Sequence, residues 1–269
     1  MTPVRLGAVG YLNARPLVFG LDGLPRFDFR YDRPSECARL LHAGAVDLGL
    51  IPSIEYLRGD SYRIVPDLAI TSSGAVRSVA LFTTRPIGDV RSILMDTSSR
   101  TSVALVQVLC ARRFKIQPAI EPSGPDLIAM LQRSDAALII GDKALLADTN
   151  SDQMPASVIK IDLGEAWTSM TGLPFVWAFW AGRQGAIGVD DVAALQAARD
   201  AGVEQAEAVA HDYFREAPQY HELGAEYLRD NIKYYLGESE RAGLELFYRY
   251  AAEIGVAPEE AADRALRFY

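Results

Sequence analysis

The chain has 269 residues, 49% of them hydrophobic and 23% charged, which is long enough for two domains around a real core. Its 27 lysine and arginine residues are outnumbered by 35 aspartates and glutamates, which gives a net charge of −8. A protein that binds nucleic acid through the phosphates needs a basic face, so nucleic-acid binding is not expected.

The sequence shows no pattern typical of export, of a membrane span or of a metal site. The first residues lead directly into a strand and no apolar run is long enough to span a membrane, so we expect a cytoplasmic protein. Cys37 and Cys110 lie in apolar, helical contexts and are expected to be buried free thiols. The three histidines, His42, His211 and His221, lie away from the polar motifs described below, which argues against a histidine base or metal ligand.

Short apolar strands alternate with amphipathic helices along most of the chain. Strands are predicted at 4–9, 27–31, 46–51, 62–65, 68–71, 78–84, 92–96, 117–121, 136–140, 157–162 and 175–181. Helices are predicted at 13–21 (capped by Asn13), 35–44, 53–57, 101–114, 124–133 and 142–147, and over most of the tail from 190 onwards. Strands that alternate with helices form largely parallel sheets, so the predicted fold class is α/β.

The composition changes near 85–88 and again near 182–188, which suggests two crossings between domains. The predicted division is one lobe made of 1–86 and 183–269, with 87–182 inserted as the second lobe. Two lobes joined by two crossover strands, with a helical C-terminal tail, resemble the type II periplasmic-binding-protein fold. That architecture binds its ligand in the cleft between the lobes.

The polar motif at 96–102 lies where a predicted strand turns into a predicted helix. It contains five hydroxyl side chains and one arginine, namely Thr97, Ser98, Ser99, Arg100, Thr101 and Ser102. The first N–H groups of a helix lack intrahelical partners and attract anions. A helix cap needs one hydroxyl, so the excess favours a seat for a carboxylate or phosphate over a simple cap.

Two motifs follow the first and third predicted strands, where open α/β sheets bind ligands. In the motif 10–17, Asn13 offers both a donor and an acceptor, and Arg15 offers a rigid cationic fork. The alternative is that Asn13 only caps a helix and Arg15 only charges the surface. In the motif 51–56, Ser53 is compatible with a helix cap and with a hydroxyl that faces the cleft.

Two more motifs adjoin the predicted crossover and the strand at 136–140. Ser78 leads into the first crossover strand, and it is expected to face the cleft because the crossover strands form the cleft floor. Gly141 permits close approach of the backbone to a ligand. Asp142 either caps the next helix, which is the commoner role, or takes a proton or accepts a substrate hydroxyl.

The motifs at 10–17, 51–56, 77–79 and 96–102, together with Gly141-Asp142 and the segment 167–175, closely resemble the chorismate dehydratase family of the futalosine route to menaquinone. The resemblance runs from about residue 4 to residue 182. It implies the two-lobed fold, a cytoplasmic enzyme and no metal or organic cofactor. It also implies Asn13 and Ser78 as catalytic residues, and a substrate-binding set of Arg15, Ser53, Thr97, Ser98, Thr101, Ser102, Gly141 and Asp142.

The reaction implied by the resemblance converts chorismate into 3-[(1-carboxyvinyl)oxy]benzoate and water. A proton leaves the ring carbon that bears the enolpyruvyl ether, charge develops on the ring carboxylate, and the neighbouring hydroxyl departs. Asn13 would orient the substrate or assist that hydroxyl, and Ser78 would hold a carboxylate or the hydroxyl. The base is either a side chain or the substrate's own enolpyruvyl carboxylate.

Three alternatives share this fold. The first is a binding protein that leaves a small carboxylate unchanged, and the second is 1,4-dihydroxy-6-naphthoate synthase of the same pathway. A ligand-sensing domain of a transcription regulator is the third, although the chain contains no helix-turn-helix pattern or basic face. No membrane partner is expected, and the helical tail is compatible with a homodimer interface.

Overall fold

The computed structural model describes residues 2–59, 61–155 and 157–269. The strands are β1 Val4–Val9, β2 Phe27–Asp32, β3 Leu48–Pro52, β4 Tyr62–Ser72, β5 Val79–Thr83, β6 Ser92–Asp96, β7 Ala119–Ser123, β8 Ala136–Ile140, β9 Ile159–Asp162 and β10 Phe175–Arg183. The α-helices are α1 Pro34–His42, α2 Arg100–Leu109, α3 Leu127–Leu131, α4 Asp142–Leu145, α5 Leu163–Thr171, α6 Val189–Glu204, α7 Ala206–Tyr213, α8 His221–Glu226 and α9 Glu238–Glu253.

Several short helical turns complete the chain. The 3-10 helices are Leu12–Val18, Leu21–Gly23, Ser53–Arg58, Ile87–Asp89, Pro218–Tyr220 and Glu259–Asp263. Two π turns, Cys110–Phe114 and Tyr227–Asn231, continue α2 and α8.

The strands form two five-stranded sheets of the same design. The first has the order β2-β1-β3-β10-β4 and the second the order β7-β6-β8-β5-β9. In the first sheet β1 runs parallel to β2 and β3, whereas β10 is antiparallel to β3 and β4. In the second sheet β6 runs parallel to β7 and β8, whereas β5 is antiparallel to β8 and β9. The predicted α/β fold with two lobes is confirmed.

The two crossings lie elsewhere than the expected boundaries at 86/87 and 182/183. Strand β5 pairs within the second sheet and β10 within the first, so the chain crosses between β4 and β5 and returns between β9 and β10. Each crossing strand pairs with the sheet that it enters. The composition changes near 85–88 and 182–188 therefore lie at the C-terminal ends of β5 and β10. The chain passes from one sheet to the other before each of these strands begins.

The larger of two hydrophobic clusters among the described residues joins the two sheets. It contains Leu6 and Leu48 of the first sheet together with Leu81 and Leu138 of the second, all of them inaccessible to solvent. Burial of apolar surface on both faces explains why these strands read as nearly continuous apolar runs. The lobes are thus packed against each other in this structure.

Several local predictions were wrong. The strands predicted at 62–65 and 68–71 form one strand, β4, and Asp142 does not cap a helix, because Gly141 is the N-cap of α4. Residues 163–171 form helix α5, which starts at the Asp162 cap and was not predicted. Asn13 does not cap a helix, because Tyr11 precedes the 3-10 helix Leu12–Val18 and Asn13 lies within it. Pro16 removes a backbone donor inside that segment, which is consistent with a 3-10 helix in place of a regular α-helix.

Gly202→Ala tests the packing of α6 against the 3-10 helix Leu12–Val18. A Cβ at Gly202 would lie 2.3 Å from the Pro16 carbonyl oxygen, so the helices would have to separate. We expect the free energy of unfolding to fall by about 2 kcal/mol, although alanine is the better helix former. Gly88→Ala is the control, because a Cβ there meets no atom of the described chain within 4 Å. Equal urea midpoints for both variants would contradict the packing argument.

Candidate functional site

A cavity lies between the two sheets. The first lobe contributes Val9, Tyr11, Asn13, Pro34, Pro52, Ile70, Trp177 and Ala178, and the crossover contributes Val76. The second lobe contributes Val79, Ser99, Ser102, Ile140 and Gly141. Mostly apolar walls with a few polar groups are typical of a site for a small organic ligand.

Asn13, Ser102 and Gly141 are the predicted site residues that line this cavity. The Oδ1 of Asn13 is buried and has no hydrogen-bond partner among residues 2–59, 61–155 and 157–269. A buried acceptor without a donor is costly, so a ligand hydroxyl or N–H group would satisfy it. Gly141 has a φ of 67°, and a Cβ there would lie 3.0 Å from the Tyr11 ring. Glycine is therefore required for the close approach of Tyr11.

The first turn of α2 presents Ser99 and Ser102 to the cavity. Ser99 is the N-cap, and its Oγ accepts hydrogen bonds from Ser102 N–H at 3.4 Å and from Ser102 Oγ at 3.1 Å. The remaining N–H groups of this turn have no intrahelical acceptor, and the positive end of the helix dipole lies here. The turn can therefore bind a carboxylate without a cationic side chain.

Thr97 and Ser98 do not line the cavity. Thr97 is exposed to solvent, and the Ser98 hydroxyl donates to the Asp96 carboxylate. The same carboxylate accepts the Ser98 backbone N–H at 2.9 Å. Burial raises the pKa of Tyr11, and the nearby Asp96 charge adds to this effect while Ser98 opposes it. Tyr11 is thus a neutral phenol on the cavity wall.

Ser53 and Thr101 are buried outside the cavity lining, where they join the two lobes. The Ser53 Oγ donates to the Val176 carbonyl at 2.8 Å and lies 3.3 Å from Thr101 Oγ1. Thr101 Oγ1 also accepts the Ile54 N–H at 3.1 Å. Their polar groups have protein partners in this structure.

Arg100 points away from the cavity and forms an ion pair with Glu55 at 2.7 Å. Glu55 is 1% exposed and also contacts His42 at 2.9 Å. Burial alone would raise the pKa of Glu55, but the hydrogen bond to His42 and the Arg100 and Arg58 charges lower it overall. Arg100 therefore connects the lobes, and no residue that the described chain places in the cavity lining carries a charge.

Arg15 and Asp142 lie behind the cavity wall. The Arg15 guanidinium lies over the rings of Tyr31, at 4.5 Å, and Tyr213, at 5.1 Å. Asp142 accepts the Leu12 N–H at 3.2 Å and the Tyr213 hydroxyl. We call the contacts of Asp142 with Leu12 and Tyr213 the inter-lobe latch, because Asp142 follows β8 of the second sheet whereas Leu12 follows β1 of the first.

Ser78 lies at the edge of the site and is 1% exposed. Its neighbours Val76 and Val79 line the cavity, whereas its Oγ accepts the Tyr227 hydroxyl at 2.6 Å. Sequence reasoning missed Tyr227 and Tyr213, because both come from the helical tail and nothing local marks them. It also missed Tyr11 and Trp177, although Tyr11 lay in a motif already singled out.

Neither a metal-binding cluster nor a membrane-spanning helix is found in the described part of the chain. Within the described residues, no group of three or more His, Cys, Asp or Glu side chains is arranged to hold a metal ion. No helix in the same part of the chain combines the length and the apolar character needed to cross a membrane.

The sequence matches a family model described as menaquinone biosynthesis over residues 4–253. The chain belongs to the menaquinone biosynthesis family. A curated chorismate dehydratase of Thermus thermophilus is 33% identical over 260 residues, which cover 92% of this chain and 94% of that protein. The family resemblance inferred from the motifs is therefore confirmed.

Solved structures similar to this family member support the fold. A crystal structure of an Archaeoglobus fulgidus protein has a TM-score of 0.72 and 16% identity, covering 95% of this chain and 98% of that one. The periplasmic aliphatic sulphonate binding protein SsuA of Escherichia coli has a TM-score of 0.63 and 17% identity, covering 97% and 90%. At these identities the likeness establishes the periplasmic-binding-protein-like fold alone.

Asp142→Asn tests the protonation of the inter-lobe latch. Burial raises the pKa of Asp142, and the hydrogen bonds from Tyr213 and Leu12 and the Arg15 charge only partly oppose this. A carboxyl whose pKa is higher in the fold than in the unfolded chain stabilises the fold at low pH, and this contribution is lost as the pH rises through the raised pKa. The asparagine of the variant does not titrate, so the variant does not lose this stabilisation. The free energy of unfolding of the variant minus that of wild type should therefore increase between about pH 3 and about pH 7.

Urea denaturation of both proteins at each pH measures this difference, in which the contributions of all other carboxyls cancel. A difference that stays constant with pH would mean that folding does not shift the pKa of Asp142, and one that decreases would mean that the latch stabilises Asp142 as a carboxylate. Either result would contradict the prediction.

Proposed function

We propose that this protein is a chorismate dehydratase, which converts chorismate into 3-[(1-carboxyvinyl)oxy]benzoate and water. The observation that carries the proposal is the uncharged cavity between the lobes, whose lining contains both Asn13, with its unpaired Oδ1, and the first turn of α2. Chorismate offers a hydroxyl for the Asn13 acceptor and a carboxylate for the helix start. The family relationship supports the same reaction.

The first turn of α2 is the binding position for one substrate carboxylate. Ser99 and Ser102 lie on the cavity side of this turn, beside N–H groups at the positive end of the helix dipole. If the ring carboxylate occupies this position, the negative charge that develops during deprotonation moves towards these donors. Donors that interact more strongly with the transition state than with the substrate accelerate the reaction.

The residues of the cavity lining favour the substrate's own enolpyruvyl carboxylate as the base. The lining contains hydroxyls and an amide, and none of the described residues in it is a carboxylate or an imidazole. Asp142 is the nearby carboxylate, and it is occupied by Leu12 and Tyr213. A substrate carboxylate held next to the ring proton needs no diffusion to reach it. The proton taken from carbon then leaves with the ring hydroxyl as water, and the ring becomes aromatic.

The proposal is tested by incubating the purified chain with chorismate and separating the products by chromatography and mass. We expect loss of one water and formation of the enolpyruvyl-ether benzoate. Chorismate recovered intact would favour a binding protein that leaves its ligand unchanged.

The Asn13→Asp variant tests the role of Asn13 in the same assay. It keeps the size of the side chain but replaces the amide with a group that repels a dianionic substrate. Its turnover should fall by about a hundredfold or more. Full turnover in this variant would remove Asn13 from the mechanism while leaving the overall reaction in place.

Two neighbouring hydroxyls of α2 separate substrate binding from lobe packing. Ser102→Ala removes a cavity hydroxyl and should raise the KM for chorismate by about tenfold. Thr101→Val removes the acceptor of the Ile54 N–H and should lower the free energy of unfolding by about 1–2 kcal/mol with little change in KM. Steady-state kinetics and urea denaturation of both variants measure the two effects. The reverse pattern would mean that Thr101, and not Ser102, contacts the substrate.

A further inference from the structure

Tyr227 connects the helical tail to the wall of the cavity. It lies at the start of the π turn Tyr227–Asn231 and is 1% exposed. Its hydroxyl donates to Ser78 Oγ at 2.6 Å, a contact between residues 149 positions apart. A neutral phenol has one proton to donate, so this proton is committed to Ser78.

The backbone of Ser78 is held in place on both sides. Its N–H donates to the Val76 carbonyl at 2.7 Å, and its carbonyl accepts the Gly141 N–H at 2.8 Å. Val76 and Gly141 both line the cavity, so the main chain of Ser78 has a fixed position in the wall. With its backbone fixed, Ser78 can change only the direction of its hydroxyl group. Because Oγ accepts from Tyr227, the Ser78 proton must be directed to another acceptor.

Burial determines the protonation state of the Tyr227 phenol. Burial raises the pKa of Tyr227, while hydrogen bonding to Ser78 and to Asn13 opposes the rise. Burial is the larger effect, so the phenol stays protonated and remains a donor at neutral pH. A hydroxyl that accepts a hydrogen bond becomes a stronger donor in turn, so Tyr227 strengthens the donor capacity of Ser78.

We propose that Tyr227 is a positioning residue that orients the Ser78 hydroxyl towards the ring hydroxyl that leaves as water. The proposal rests on the proposed chorismate dehydratase function. Tyr227 is not part of the cavity lining and acts only through Ser78. No proton is transferred from Tyr227 in this arrangement, because its role is to fix and polarise a donor.

The test is a double-mutant cycle of Tyr227→Phe and Ser78→Ala, with chorismate turnover as the readout. Tyr227→Phe alone should lower kcat by about tenfold with KM changed less than about twofold. In the Ser78→Ala background the same substitution should have no further effect on kcat. Tyr234→Phe is the control, because Tyr234 is a tail tyrosine that is equally buried and whose hydroxyl has no partner among the described residues. Its kcat and KM should match wild type.

The possible outcomes separate this proposal from the function on which it rests. If wild type turns over chorismate and Tyr227→Phe lowers kcat equally in both backgrounds, Tyr227 has only a general structural role and the proposal is wrong. Unchanged kcat in Tyr227→Phe would also overturn it. A wild-type chain without turnover would overturn the proposed function, and the role of Tyr227 with it.

A second variant covers the case in which Tyr227→Phe does not fold. Incorporation of 3-fluorotyrosine at 227 keeps the shape and the hydrogen bond but makes the phenol a stronger donor. It should raise kcat, and an unchanged or lower kcat would contradict the proposal.

Discussion

The first turn of α2 determines how the two lobes and the cavity fit together. Residues three apart share a face of a helix, so Ser99 and Ser102 both face the cavity. Arg100 and Thr101 fall on the other side, where they bind Glu55 and the Ile54 N–H of the first lobe. One turn of helix thus supplies both the anion-binding donors and the bonds that hold the lobe against its partner. A shift of this turn would change the site and the lobe contact together.

The charges of the protein are arranged so that the cavity stays neutral. Arg100 is paired with Glu55, and Arg15 is packed between Tyr31 and Tyr213. The lining that remains offers hydroxyls, an amide and backbone N–H groups, which are dipoles without full charge. Dipoles bind a carboxylate without a salt bridge, so a substrate carboxylate in this cavity keeps more of its basicity than it would beside a guanidinium. Such a carboxylate is suited to act as the base in the proposed reaction.

The sequence predicted the strands of both sheets and the elements on which the site is built, because strand periodicity and helix starts are local signals. It did not predict which side chains of a motif turn towards the cavity. All five hydroxyls of 97–102 have the chemistry of an anion site, yet Ser98 is bound to Asp96 and Thr101 to Ile54. These partners are set by the packing of the lobes, which a local pattern does not contain. Helix α5 was missed because its few residues lie between two strands and its cap, Asp162, reads as the end of a strand.

The helical tail contributes to the site as well as covering the first lobe. Tyr213 binds Asp142 at one side of the cavity, Tyr227 binds Ser78 at another, and Tyr248 donates to the Ser53 carbonyl at 2.6 Å. Each of these phenols reaches a residue of a site motif, and a phenol has the length to do so from a helix packed outside the sheet. Burial raises the pKa of Tyr227, Tyr213 and Tyr248, so all three remain neutral donors. Because the tail is distant in sequence from the motifs that it supports, the orientation of the polar groups in the cavity depends on the completed fold.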